Sequence, residues 1–263
     1  MQSRDGTRTV LTLAETELAL PEGKLLNQSM GSVMHGLLME TISNEWADAM
    51  HSMDIRPFSQ YLVVRDGKPY WRIATLTEEA FEHILMPVMK LRTAYLRQHS
   101  SEIGFGPFQI CKKESSHDLE KKFFETMGRI HHVEMRFCTS TSFKTNGTYA
   151  IFPDPRLLFC NLIAKWNAFS TSSVLEEDNL AQHIADRLYI TEYNLHTHPY
   201  SLEGRRIAAF RGTLRLGLFK SDMNARLASL LCYFASYCGT GIKTALGMGG
   251  TETLVAEYKY KEL

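Results

Sequence analysis

The order of secondary-structure signals predicts an α+β protein of two tandem ferredoxin-like (RRM-like) units. Each runs β-α-β-β-α-β, and a glycine-rich loop precedes the last strand. Three observations carry this prediction. From Thr7 to Lys113 the chain reads strand, helix, hairpin, helix, strand. The second half repeats that order less cleanly. The 263 residues, 44% of them apolar, are enough for one large domain or two small ones. The expected domains are 1–117 and 118–263, joined near Ser115 to Glu120, although no sequence identity between the halves is evident.

Thr7 to Leu18 alternates loosely and reads as the first strand, ended by Pro21-Glu22-Gly23. A helix is expected from about Asn27 to Met50, its buried face marked by Met30, Met34, Leu37 and Thr41 at helical spacing. Ile55 to Val64 and Tyr70 to Leu76 form a hairpin around Asp66-Gly67, a strong turn signal. Thr77-Glu78-Glu79 opens a second helix in which Pro87 is placed to kink the backbone. Ile103 to Lys113 is the fourth strand.

In the second half, Arg129 to Ser142 reads as a strand, followed by a hairpin turn at Lys144 to Thr148. Helices at about 156–169 and 176–188 and strands at about 190–199 and 205–219 come next. An apolar helix capped by Ser221-Asp222 covers about 223–238, Gly239 ends it, and Thr251 to Tyr260 is rich in strand formers.

The chain is neutral overall, with 29 basic and 29 acidic residues, which runs against the basic footprint usual for nucleic-acid binding. The distribution is nevertheless bipolar. Arg205 to Lys220 holds five basic residues and no acid; Glu176 to Glu192 holds five acids and one arginine. No run of eighteen apolar residues occurs and the N-terminus lacks a signal-peptide pattern, so a cytoplasmic, non-membrane protein is expected. Five cysteines without a C-x-x-C pair fit reduced thiols.

The stretch Cys238 to Gly250 holds five glycines, Lys243, two threonines and no acid. Such a loop exposes backbone N–H groups to a polyanion; it also reads as a plain flexible connector. Walker A fails because Ile242 and Tyr237 stand at its two glycine positions, and G-x-G-x-x-G fails at Thr244. Both motifs also need strand before helix, the reverse of the order here.

The run Gly241-Ile242-Lys243-Thr244-Ala245-Leu246-Gly247-Met248-Gly249 between the last helix and last strand resembles the RAMP superfamily of CRISPR-associated proteins. More narrowly, it resembles the endoribonuclease that cuts precursor CRISPR RNA within its repeats. Gly31 to Met39 with His35, the hairpin of Thr139 to Phe152, and Pro153-Asp154-Pro155 leading to Lys165-Trp166-Asn167 agree with that family. The resemblance implies metal-independent cleavage by attack of the 2′-hydroxyl, giving a 2′,3′-cyclic phosphate and a 5′-hydroxyl, with no cofactor. It also implies repeat RNA as partner, with effector-complex subunits and a homodimer as further candidates. A non-cleaving RAMP subunit that holds guide RNA is the alternative, and a metabolic enzyme that binds a small phosphate is a third class.

Site residues follow from both sources. On a helical wheel His35 falls roughly 120° from the centre of the buried arc, at its flank. An ordinary surface histidine fits that position, and so does a proton-transfer group. The resemblance implies the second. Lys24, in the loop before the helix, is the nearest cation in sequence for the developing phosphorane charge, and reads equally as a solvated lysine. The family's tyrosine near the histidine has no counterpart before Ser59. Alternation along 205–218 places Arg205, Arg211 and Arg215 on one face, either a phosphate track or a solvated face. Gly239, Gly241, Lys243, Thr244, Gly247 and Gly249 would add phosphate contacts from the loop. Gly104 to Phe108 is a weak RNP1-like run. His131-His132 and His196/His198 lack the spacing of a metal site.

Overall fold

The computed structural model describes residues 10–21, 30–97, 100–202, 204–219 and 222–257. The first sheet begins with β1 (Val10–Ala19), which leads to α1 (Met30–Thr41) and α2 (Asn44–Ser52). The single long helix expected here is two. Ser43 caps α2, its Oγ accepting from Trp46 N at 3.4 Å, and Ser-Asn-Glu is the cap signal that the apolar periodicity concealed. β2 (Phe58–Arg65) and β3 (Lys68–Thr75) form the expected hairpin, with Asp66 at φ 50° and Gly67 at φ 77°.

Thr77 Oγ1 accepts from Ala80 N and starts α3, which runs through Glu78–Ala80, Phe81–Leu85 and Met86–Val88. Its middle is wound as a π-helix just before Pro87, the local distortion that proline predicts. After β4 (Thr93–Leu96), which the sequence reading did not mark, the single fourth strand expected at Ile103 to Lys113 is two short ones: β5 (Ser101–Phe105) and β6 (Gln109–Ser115). Pro107 separates the last two, which pair with different ends of β1. Among the described residues β6, β1, β3 and β2 lie side by side, all antiparallel, the 4-1-3-2 order of a ferredoxin-like sheet.

The region near Ser115 to Glu120, where the two units were expected to join, forms a helix, α4 (Ser116–Glu120), prolonged by a π-turn at Lys121–Thr126. Ser115 and Asp118 close a capping box there, with Oγ accepting from Asp118 N and the carboxylate accepting from Ser115 N. β7 (Ile130–Thr141) and the hairpin β8 (Phe143–Thr145) and β9 (Thr148–Ala150) follow. Next come α5 (Pro155–Phe169), the short α6 (Leu180–Ala185), β10 (Leu188–Thr197), β11 (Tyr200–Leu202), β12 (Arg205–Ile207) and β13 (Phe210–Leu218). α7 (Met223–Cys238) and β14 (Thr251–Glu257) end the description. The second sheet, β14-β7-β13-β10, repeats the 4-1-3-2 order.

α7 is apolar nearly all round and buried on most of its surface, as a helix between two layers must be. Its Leu230, Leu231 and Phe234 share one core with Leu11, Leu13, Ala74 and Leu76 of the first sheet and with α5 and β7 of the second. Between the sheets Arg72, nearly buried, reaches Glu15 at 3.1 Å and Glu252 at 2.6 Å, so a guanidinium joins carboxylates from both halves. Among the described residues no helix is long and apolar enough to cross a membrane.

Candidate nucleic-acid interface and catalytic groove

α1 meets the glycine-rich loop at two glycines. A Cβ added at Gly31 would lie 2.9 Å from the Cα of Gly247, 2.9 Å from Tyr200 Oη and 3.0 Å from Leu246 O. Gly247 itself has φ 96°, which side chains rarely adopt. Gln60 of β2 bridges the same contact. Its buried amide donates to Gly31 O at 2.7 Å and Ala245 O at 3.0 Å, while its oxygen accepts from Trp71 Nε1 at 2.8 Å. Tyr200 Oη donates to Leu246 O. Helix, strand and loop are thereby locked in one register.

His35 sits in this junction. The wheel put it at the flank of α1, but only 8% of it is exposed, because the loop and β2 cover that flank. It stacks on Phe58 with ring centroids 6.0 Å apart, and its Nδ1 is buried without a hydrogen-bond partner. Burial, and then the nearby charges of Arg56 and His51, lower its pKa to about 4, against a hydrogen bond to the Ala245 backbone. The imidazole is therefore neutral at pH 7 and holds one unused polar atom.

Beside it lies a groove of about 480 Å³ between the end of α2 and the loop. His51, Arg56, Lys165, Lys243 and Thr244 contribute to its wall, with Asp54 as the one acid. Arg56 donates from Nε to Met50 O at 2.7 Å, which holds its guanidinium at the groove. Sequence reading passed over His51 and Arg56, since in one straight helix they fall far from His35. The cap at Ser43 was the signal that folds them back.

Lys165, buried apart from the edge it lends to the groove, anchors the loop from below. Its Nζ donates to Cys238 O, Gly239 O and Gly241 O at 3.3, 2.9 and 3.1 Å, and burial lowers its pKa. Most of the loop's own amides are spent on the fold. Thr240 N donates to Gly249 O, Gly241 N to Asn161 Oδ1, Ile242 N to Ser142 O, Gly249 N to Ser140 O and Gly250 N to Thr139 Oγ1. Gly239, Gly241, Gly247 and Gly249 are buried, and a Cβ on Gly241 would stand 2.2 Å from Ser142 O. These glycines serve close packing, so Lys243 is the loop's exposed side chain, with Ile242, Thr244 and Leu246 half-buried around it.

The arginine track is also broken. Arg205 lies on β12, which pairs with β11, whereas Arg211 and Arg215 lie on β13. Arg215 is taken up by Glu134 at 2.7 Å and by Glu192. Arg205 is exposed and Arg211 half-buried. The expected single face fails because the strand breaks at Ala208-Ala209. Lys24 lies outside the described residues. The two Nδ1 atoms of His131 and His132 are 2.7 Å apart, and His198 Nδ1 bonds Ser140 Oγ, but among the described residues no third metal-ligating side chain joins either pair.

Comparison with known proteins gives these features a context. Residues 135–251 match the family model of the CRISPR-associated endoribonuclease Cas6. A CRISPR-associated endoribonuclease Cas6 of Mycobacterium tuberculosis is 28% identical over 251 residues, covering 92% of this chain and 76% of the relative. One from Streptococcus thermophilus is 26% identical, covering 85% and 90%. A solved Cas6 product complex superposes with TM-score 0.76 at 22% identity, over 93% of this chain and 99% of that one. Thermus thermophilus Cas6 gives 0.73 at 21%, over 95% and 100%. A RAMP protein described as binding different RNA substrates gives 0.63 at 13%, over 92% and 99%.

Proposed function

We propose that this chain, which is similar to Cas6 endoribonucleases, is itself an endoribonuclease that cuts precursor CRISPR RNA within its repeats. The observation that supports this most is His35, a neutral imidazole with an unused Nδ1, beside a groove walled by His51, Arg56 and Lys243. A scissile phosphate in that groove meets cations on both sides. The 2′-hydroxyl attacks the adjacent phosphorus: the O2′–P bond forms, the P–O5′ bond breaks, His35 takes the O2′ proton, and His51 supplies one to the leaving O5′. The products are a 2′,3′-cyclic phosphate and a 5′-hydroxyl.

Arg56, rather than Lys24 alone, stabilises the charge gathering on the phosphorane oxygens. An RNA phosphate beside His35 also offsets the positive charge of Arg56, which raises the histidine's proton affinity when substrate is bound. Lys243 and Thr244 hold the backbone without reading sequence.

The test is cleavage of repeat RNA from the source organism's own array in excess EDTA. Wild type is expected to cut, and both His35→Ala and a 2′-deoxy substitution at the cut site are expected to abolish cutting. Tight binding without cleavage would replace the nuclease with a guide-holding subunit. Absence of binding would remove both.

A further inference from the structure

A second cavity, of about 220 Å³, adjoins the groove and shares Met53 with it. Trp46, Pro57, Thr77, Phe169 and Thr171 line it further, with Glu79 as its one acid. Its volume falls below the roughly 300–1,000 Å³ of a drug-sized site, so it suits one planar ring system. Trp46 is fixed in the first turn of α2 by the Ser43 cap, and His83 stacks on it with centroids 4.6 Å apart and planes 14° apart. Phe169 and Thr171 flank Ser170, whose N–H donates to Trp166 O and closes α5. An aromatic ring of fixed plane, a flexible thioether and the exposed Thr171 form a surface of the kind that receives unstacked bases. Because α2 carries Trp46 at its start and His51 near its end, one rigid element spaces the cavity from the reacting groove.

We propose that this cavity receives one unpaired nucleobase of the RNA, from a nucleotide flanking the bond that is cut, by stacking on Trp46. It thereby sets which phosphate enters the groove. The inference rests on the nuclease reading above. Any RNA able to fill it must have that nucleotide free of base pairing.

The experiment scans 2-aminopurine through the nucleotides flanking the cut, in repeat RNA made non-cleavable by a 2′-deoxy at the cut site. Fluorescence at one position is expected to be quenched on binding to wild type but not to Trp46→Ala. With cleavable RNA, Trp46→Ala is expected to raise KM about tenfold with kcat little changed. Trp46→Phe is expected to recover most of that loss. An abasic residue at the quenched position is expected to make wild type and Trp46→Ala equal. Wild type that binds and cuts with no Trp46-dependent position would overturn this proposal and leave the nuclease reading standing. Wild type that neither binds nor cuts would overturn both. A Trp46→Ala variant that loses the same factor on intact and abasic RNA would reduce Trp46 to a structural residue and overturn the base pocket.

Discussion

Gly31 and Gly36 stand on the same helix, and replacing each by alanine separates two opposing effects. Alanine is favoured over glycine in a helix by about 1 kcal/mol, so on propensity alone both changes stabilise. At Gly36 the added methyl meets nothing within 4 Å. Gly36→Ala should therefore raise Tm by roughly 2–4 °C in a protein of this size and leave cleavage unchanged. At Gly31 the methyl would meet the Gly247 Cα at 2.9 Å, with Tyr200 Oη and Leu246 O as close. Ordinary carbon contact needs about 3.5 Å, so helix and loop must part by about half an ångström or more. Overpacking of this kind costs about 1–3 kcal/mol and cancels or reverses the helical gain. The larger effect falls on the chemistry. His35 moves against the loop and groove, and misplacement on the order of 1 Å costs up to about 100-fold in rate. Thermal unfolding and single-turnover cleavage of repeat RNA measure both. If Gly31→Ala were as stabilising as Gly36→Ala and cut at the wild-type rate, the helix–loop contact would not govern the site.

Three further outcomes follow from the same geometry. His35 has its folded pKa depressed from 6.5 to about 4, so the unfolded chain binds the proton first and the stabilising contribution is present above about pH 6.5 and lost as pH falls towards 4. In urea unfolding, wild type should lose about 2–3 kcal/mol more than His35→Gln between pH 7 and 4.5, and equal losses would contradict the burial argument. Lys165→Met removes the donor to three loop carbonyls; it should cost on the order of 3 kcal/mol and abolish ordered closure of the loop, read as faster amide exchange at Gly249 and Gly250. Lys243→Ala should flatten the salt dependence of RNA binding by roughly 0.7 in log–log slope. Arg215→Ala, whose charge is already shared with Glu134 and Glu192, should leave that slope where it was.

Local signals carried much of this structure. The hairpin at Asp66-Gly67, the caps at Thr77 and Asp222, and the end of α7 at Gly239 stand where their residue chemistry puts them. The strand order 4-1-3-2 in both sheets follows from the element order. What sequence periodicity concealed was interruption. Ser43 breaks an apolar helix whose spacing continues across it, Pro107 splits a strand, and Ala208-Ala209 divides a run of alternating residues that carries no turn signal. Each break relocates charged groups: Arg56 and His51 arrive at the groove, and Arg205 leaves the sheet. The glycine loop was legible as a special backbone but not in its purpose. Whether its amides face a ligand or the protein depends on partners such as Ser140, Ser142 and Asn161, distant in sequence and visible only once the chain is folded.

The bridge made by Gln60 has a consequence for biosynthesis. Its amide joins Gly31 O to Ala245 O, the second contact spanning 185 residues, and the loop it holds is reached only near the end of the chain. α1 and the first sheet leave the ribosome long before Lys243, Thr244 and Lys165's three carbonyl partners exist to close the groove. Domains emerge in chain order at about 5–20 residues per second, so His35 waits on the order of ten seconds for the wall opposite it. On the function proposed above, a nascent chain thus carries His35 without a place to hold RNA until α7 and β14 have been made.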